Sequence, residues 1–136
     1  MSEPVFLDTS GLYAMLDGDD AANPSVAEAW RRLLASDASL HTSNYVLLEL
    51  EALLQRRLGV EAVDVLATYI TPVVNAVWVD ERVHAQAQTA VLAARRRDVS
   101  LVDHASFIIM RSLGLRMALT TDRHFADHGF RVLPQV

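Results

Sequence analysis

Three observations predict an α/β fold, three layers deep, around a central and mostly parallel sheet. Short runs of β-formers alternate with longer helical patterns along the whole chain. Two of those runs lead into acids: Val5-Phe6-Leu7 stops at Asp8, and Met117-Ala118-Leu119 passes through Thr120 and Thr121 to Asp122. One helical stretch, Val102 to Leu113, is apolar on nearly all sides and therefore needs cover all round.

Taken in order, Val5 to Asp8 reads as a buried strand, and Ser10 to Leu16 as a short helix. The polar stretch from Asp17 to Asn23 is a loop. Pro24 opens a helix at its first turn, with Val26, Ala29, Trp30, Leu33 and Leu34 at helical spacing. Leu40 to Thr42 is a short strand. Ser43 or Asn44 caps a helix from Tyr45 to Leu58, whose apolar arc carries Val46, Leu47, Leu50, Leu53 and Leu54 before Gly59 ends it. Glu61 to Ile70 is a further helix, closed before Pro72. Ala76 to Val79 forms a strand ending at Asp80. Glu81 to Arg96 is a long helix with Val83, Ala87, Ala90, Val91 and Ala94 inward. After the apolar helix to Leu113 and its cap Gly114, a strand reaches Thr120. A short helix from Arg123 to Ala126 and the run Phe130 to Leu133 finish the chain. Neither a repeat nor a linker divides these elements, so residues 1–136 read as one domain.

At 136 residues, half of them apolar, the chain is long enough for a real core and is not disordered. The absence of cysteine excludes disulfides and thiolate zinc sites. No apolar run approaches a membrane span, and the N-terminus lacks a signal-peptide pattern, so the expected location is the cytoplasm. All 12 basic residues are arginine, so any basic contact to phosphate must come from arginine. The net charge of −5 argues mildly against a nucleic-acid partner, but setting four candidate site acids aside leaves a nearly neutral chain.

Those four acids are Asp8, Glu49, Asp103 and Asp122. Ligands of an open parallel sheet bind outside the carboxyl ends of its strands, so Asp8 and Asp122 should meet in one crevice. Asp8 stands with Thr9 and Ser10, giving the next helix more N-caps than it needs. Asp103 sits in a capping-box position behind Ser100, where Asp is short for the reach back, and it shares a helix face with Phe107 and Met110. Asp122 is placed after its strand as Asp8 is, although capping of the short helix would also explain it. Glu49 lies at the border of an apolar arc and by pattern alone reads as solvated, with Arg56 on the same side as a partner. Acids gathered without lysine repel one another unless a hard cation, Mg²⁺ or Mn²⁺, collects them.

Other chemistry is weakly signalled. His104, His124 and His128 lack zinc-ligand spacing. No phosphate-binding glycine loop and no nucleophile elbow is present. Arg56-Arg57 and Arg95-Arg96-Arg97 read as solvated helix ends. Trp30 and Trp78 sit at core spacing and read as packing residues.

Assembled in order, the segments Val5-Phe-Leu-Asp8-Thr-Ser10, Ser43-Asn-Tyr-Val-Leu-Leu-Glu49-Leu, Val99-Ser-Leu-Val-Asp103-His-Ala-Ser-Phe107 and Leu119-Thr-Thr-Asp122-Arg-His-Phe125 resemble a PIN-domain ribonuclease of the VapC toxin type. The resemblance spans essentially the full length and implies a PIN-like α/β/α fold. It implies that Glu49 belongs to the site, and that Thr9 or Ser10, together with Thr120, supports the site by hydrogen bonding. The activity it implies is metal-dependent RNA hydrolysis by an activated water, leaving a 5′-phosphate and a 3′-hydroxyl, with Asp8, Glu49, Asp103 and Asp122 as metal ligands. It also implies a cognate antitoxin and a homodimer. His124 departs from the pattern, since many relatives carry Asp there; the departure bears on the second metal position. Two other readings compete: an Asp-nucleophile phosphatase built on Asp8, which would want a second Asp where Ser10 stands, and a non-catalytic PIN-like binding module.

Overall fold

The structure, a computed structural model, describes residues 2–135. Five parallel strands form one sheet in the order β3-β2-β1-β4-β5: β1 (Val5–Leu7), β2 (Leu40–Ser43), β3 (Asn75–Val77), β4 (Met117–Leu119) and β5 (Arg131–Leu133). The chain runs outward from β1 through β2 to β3, then returns to the other side of β1 and runs outward again. That reversal makes the gap at the carboxyl ends of β1 and β4 the topological switch point, where such sheets bind ligands. Successive strand residues face opposite sides. Val5, Phe6 and Leu7 are all buried, so helices cover both faces of the central strand and the molecule has three layers.

The helices follow the sequence pattern closely. They are α1 (Thr9–Leu16), α2 (Asn23–Ala35), α3 (Asn44–Arg57), α4 (Val60–Val65), α5 (Glu81–Ala94), α6 (Leu101–Leu113) and α7 (His124–Asp127). Pro24 falls in the first turn of α2, Ser43 Oγ caps α3 by accepting from Val46 N at 3.1 Å, and Gly114 closes α6 in the left-handed conformation. Helix α6 packs along α5 and buries a face running from Asp103 to Met110.

Four expectations need correction. The segment expected as one helix to Ile70 stops at Val65, continues as a π-helical turn over Leu66–Ile70, and tightens to a 3₁₀ turn at Thr71–Val73. Pro72 lies in that tight turn, where it replaces continuation of the helix. β3 begins and ends earlier than expected and is an edge strand, with Asn75 and Ala76 exposed. Trp78 therefore lies beyond the strand and is 74% exposed, whereas Trp30 is buried as expected. Only Ala87 of the predicted inner face of α5 is fully buried; Ala94 is exposed, because α5 ends there and Arg95 turns away in the left-handed region. No helix among the described residues is long and apolar enough to cross a membrane.

Candidate active site

Asp8 follows β1 directly, and its backbone N–H donates to Leu119 O of β4 at 3.1 Å. It occupies the N-cap position of α1, yet its side chain caps nothing. Its Oδ2 instead accepts two hydroxyl protons, from Ser10 at 2.8 Å and from Thr120 at 2.9 Å. Each hydroxyl in turn accepts a backbone N–H from the loop after β4: Thr121 N on Ser10 and Asp122 N on Thr120. Two chain segments more than a hundred residues apart are thus laced together around one carboxylate.

Gly11 makes this approach feasible. A Cβ there would lie 2.3 Å from Leu119 O and 2.7 Å from its carbonyl carbon, so any side chain would push α1 off β4. The sequence showed Gly11 only as a residue beside Ser10; its reason is a contact 108 positions away.

The carboxylate held this way is only 3% exposed. Burial is the main cause that raises its pKa to about 6, opposed by the Ser10 and Thr120 hydroxyls and reinforced by the charge of Asp103. Asp103 is likewise pushed upward, by burial first and also by the charge of Asp122. Negative charge therefore accumulates at the switch point, where Asp103 raises the pKa of Asp8 and Asp122 raises that of Asp103, an arrangement that a divalent cation would relieve.

Asp103 corrects a further expectation. The capping box on α6 is complete: Ser100 Oγ accepts from Asp103 N at 3.0 Å, and Asp103 Oδ2 accepts from Ser100 N at 2.9 Å. Asp reaches because Ser100 is extended and turns its N–H inward over the first turn. The capping role and a site role coexist, since one carboxylate oxygen suffices for the cap. Asp122 also bonds the start of a helix: its Oδ1 accepts from His124 N at 2.9 Å, although the N-cap residue of α7 is Arg123 and the helix begins one residue later than expected.

Asp103, Asp122 and His124 each bring one ligand atom to within 4.8 Å of the others, close enough to surround a single ion. The residue pattern alone gave His124 no zinc-ligand spacing, and only the family resemblance marked its position as bearing on the second metal. Its signal was its place two residues after Asp122, within one turn of α7. Asp98, which accepts from His124 Nε2 at 3.1 Å, gave no local signal at all.

Glu49 stands apart from these groups. It is exposed on α3 and lines a surface cleft of about 360 Å³ with Thr9, Ala52, Leu53 and Arg56. The expected ion pair with Arg56 is absent among the described residues. Of the two expected supporting donors beside Asp8, Thr9 keeps a buried hydroxyl without a partner at this cleft, whereas the Ser10 hydroxyl donates to Asp8. The position two residues after Asp8, where an Asp-nucleophile phosphatase would want its acid, holds Ser10, whose hydroxyl donates to Asp8.

Comparison with known proteins identifies the family and the fold. The PIN domain family matches residues 5–131. The 23S rRNA-specific endonuclease VapC20 of Mycobacterium tuberculosis is 32% identical over 127 residues, 93% of this chain and 95% of its own. The crystal structure of VapC20, a sarcin-ricin loop cleaving toxin, superposes with a TM-score of 0.79 at 34% identity, covering 93% of this chain and 95% of the other. FitAcB from Neisseria gonorrhoeae shares the fold, with a TM-score of 0.68 at 18% identity over 94% of this chain and 95% of its own.

Proposed function

This chain belongs to the PIN-domain family, and from that premise we propose that it is a divalent-metal-dependent endoribonuclease of the VapC toxin type, acting on a structured loop of large-subunit ribosomal RNA. The observation that carries the reading is the buried Asp8, held by Ser10 and Thr120 at the switch point beside Asp103 and Asp122. Asp8, Asp103 and Asp122 would hold Mg²⁺ or Mn²⁺. Glu49, exposed at the rim of the neighbouring cleft, would complete the ligand set. When bound, such an ion supplies the acidity that activates a water and the positive charge that stabilises the leaving oxygen.

The chain's own residues divide the remaining work. Ser10 and Thr120 orient the Asp8 carboxylate, and the low exposure of Asp8 keeps bulk water from competing for it. Arg56 lines the same cleft as Glu49 and meets the RNA phosphate backbone there, with the charge that lysine would supply in a lysine-bearing chain. No side-chain nucleophile takes part. The products carry a 5′-phosphate and a 3′-hydroxyl.

As a toxin the protein pairs with a cognate antitoxin that covers the acidic cleft, and the working form is a homodimer in the cytoplasm. The test is cleavage of a synthetic sarcin-ricin hairpin by the purified protein with Mg²⁺ or Mn²⁺, run beside a tRNA and p-nitrophenyl phosphate. Site-specific cleavage that EDTA abolishes and Asp103→Asn lacks is expected. Hydrolysis of the phosphate ester alone, or RNA cleavage indifferent to EDTA, overturns the reading.

A further inference from the structure

Among the described residues, His124 combines features that the acids alone do not explain. It is 8% exposed, and its Nε2 lies 3.1 Å from Asp98 Oδ2. A carboxylate only accepts, so Nε2 carries a proton, and in the neutral imidazole Nδ1 then presents its lone pair. Asp98 is itself held by Arg96 through two contacts, Nε to Oδ1 at 3.0 Å and a terminal nitrogen to Oδ2 at 2.6 Å. The imidazole is thereby fixed in tautomer and orientation from outside.

Nδ1, at the inner end, is buried without a hydrogen-bond partner. It sits 2.7 Å from Asp122 Oδ1, at an angle that makes no hydrogen bond, and that oxygen also accepts the His124 backbone N–H. A lone pair facing a carboxylate oxygen at this distance is repulsive unless a cation lies between or beside them. Asp103 is the third group of the cluster. A histidine whose far nitrogen is held by a carboxylate while the near one points among acids has the arrangement of a metal-ligating histidine with its outer support.

We infer that His124 Nδ1 is a nitrogen ligand of the divalent cation bound by Asp103 and Asp122, supported from behind by Asp98 and Arg96, and that this chain accordingly prefers Mn²⁺ and later transition ions over Mg²⁺. The inference rests on the metal-dependent reading of the same site and adds the identity and consequence of one donor. Mg²⁺ favours an all-oxygen octahedron and keeps its waters, whereas imidazole favours the borderline ions.

The test uses the intact protein, titrated by calorimetry with MnCl₂, CoCl₂ and MgCl₂ separately, and pulsed electron paramagnetic resonance of the Mn²⁺ complex. Expected are ¹⁴N coupling on bound Mn²⁺ and affinities rising from Mg²⁺ to Mn²⁺ to Co²⁺, with Mn²⁺ about tenfold or more tighter than Mg²⁺. His124→Asp should keep Mg²⁺ binding, lose the nitrogen coupling and level the preference. Asp98→Asn, at a half-exposed position, should keep the coupling but weaken Mn²⁺ binding by about tenfold. Stoichiometric Mn²⁺ without ¹⁴N coupling overturns the inference and makes His124 a protonated bridge between two carboxylates. A preference unchanged in His124→Asp overturns it as well. The two readings separate cleanly: RNA cleavage without nitrogen coupling defeats only the ligand assignment, and coupling without RNA cleavage defeats only the nuclease assignment.

Discussion

Asp8 and Glu49 are proposed for one site, yet they are built on opposite principles. Asp8 is buried at the mouth of the central strand, takes two hydroxyl hydrogen bonds on one oxygen, and is pushed to a pKa of about 6 chiefly by burial. Glu49 rides the exposed side of α3, with no ion-pair partner among the described residues. A carboxylate locked before its cation arrives costs stability in the apo protein but loses little freedom on binding. An exposed glutamate costs nothing when empty and must be ordered each time. The difference teaches where the site stores its preorganisation: at the β1–β4 junction, not on α3.

The largest expected effect comes from removing the locked acid. Asp8→Asn should lower kcat on RNA by about 10³-fold, roughly 4 kcal/mol of transition-state stabilisation. Thermal melting in EDTA should show the variant at least as stable as the parent, because a buried charge has gone. Wild-type turnover at saturating Mn²⁺ would break the contrast between the two acids.

Next in size is the pH dependence of apo stability. Asp8 has a folded pKa near 6 against 3.8 for the free group, so the folded state holds the extra proton between those values. Its contribution is intact below pH 4 and is lost as pH rises through 6, by about 3 kcal/mol. Urea titrations in EDTA from pH 4 to 7 should show this loss, smaller in Asp8→Asn. Added Mn²⁺ should reverse it, because an ion that binds only the native state stabilises it. A difference between wild type and variant that stays constant across this range would mean Asp8 is not held as described.

A sharper probe leaves every acid in place. Thr120→Val keeps shape while removing the hydroxyl that donates to Asp8 and accepts from Asp122 N, and should weaken Mn²⁺ binding by about 10- to 100-fold in calorimetry. The smallest structural effect belongs to Glu49→Gln. Its stability should stay within about 0.5 kcal/mol of the parent, as expected of an exposed position, while RNA cleavage falls. A large loss of stability would show that Glu49 is locked after all.

Much of this molecule was legible beforehand because it is locally encoded. Pro24, Ser43, Gly114 and the apolar periods place the helices, and strand-end acids name Asp8 and Asp122. Asp103 was harder: its capping box and its place in the cluster share one side chain, and sequence sets those roles against each other. Glu49 was marked by resemblance, not by its helical position. Trp78 was misjudged because spacing says nothing about whether a strand is central or at an edge.

By itself the sequence determined the alternation of strands and helices, their caps, the four acids and a chain whose only basic side chains besides histidine are arginines. Each follows from chemistry within a few residues: backbone preferences, side-chain size and capping hydrogen bonds. The tertiary structure alone decided that β1 and β4 are neighbours, that Thr120 reaches Asp8 across 112 positions, that Gly11 must stay bare against Leu119, and that Asp98 stands behind His124. Those facts depend on strand order and on the crossover that reverses at the centre of the sheet. Long-range pairing of this kind is set by the joint burial of whole elements, which no short window of residues contains.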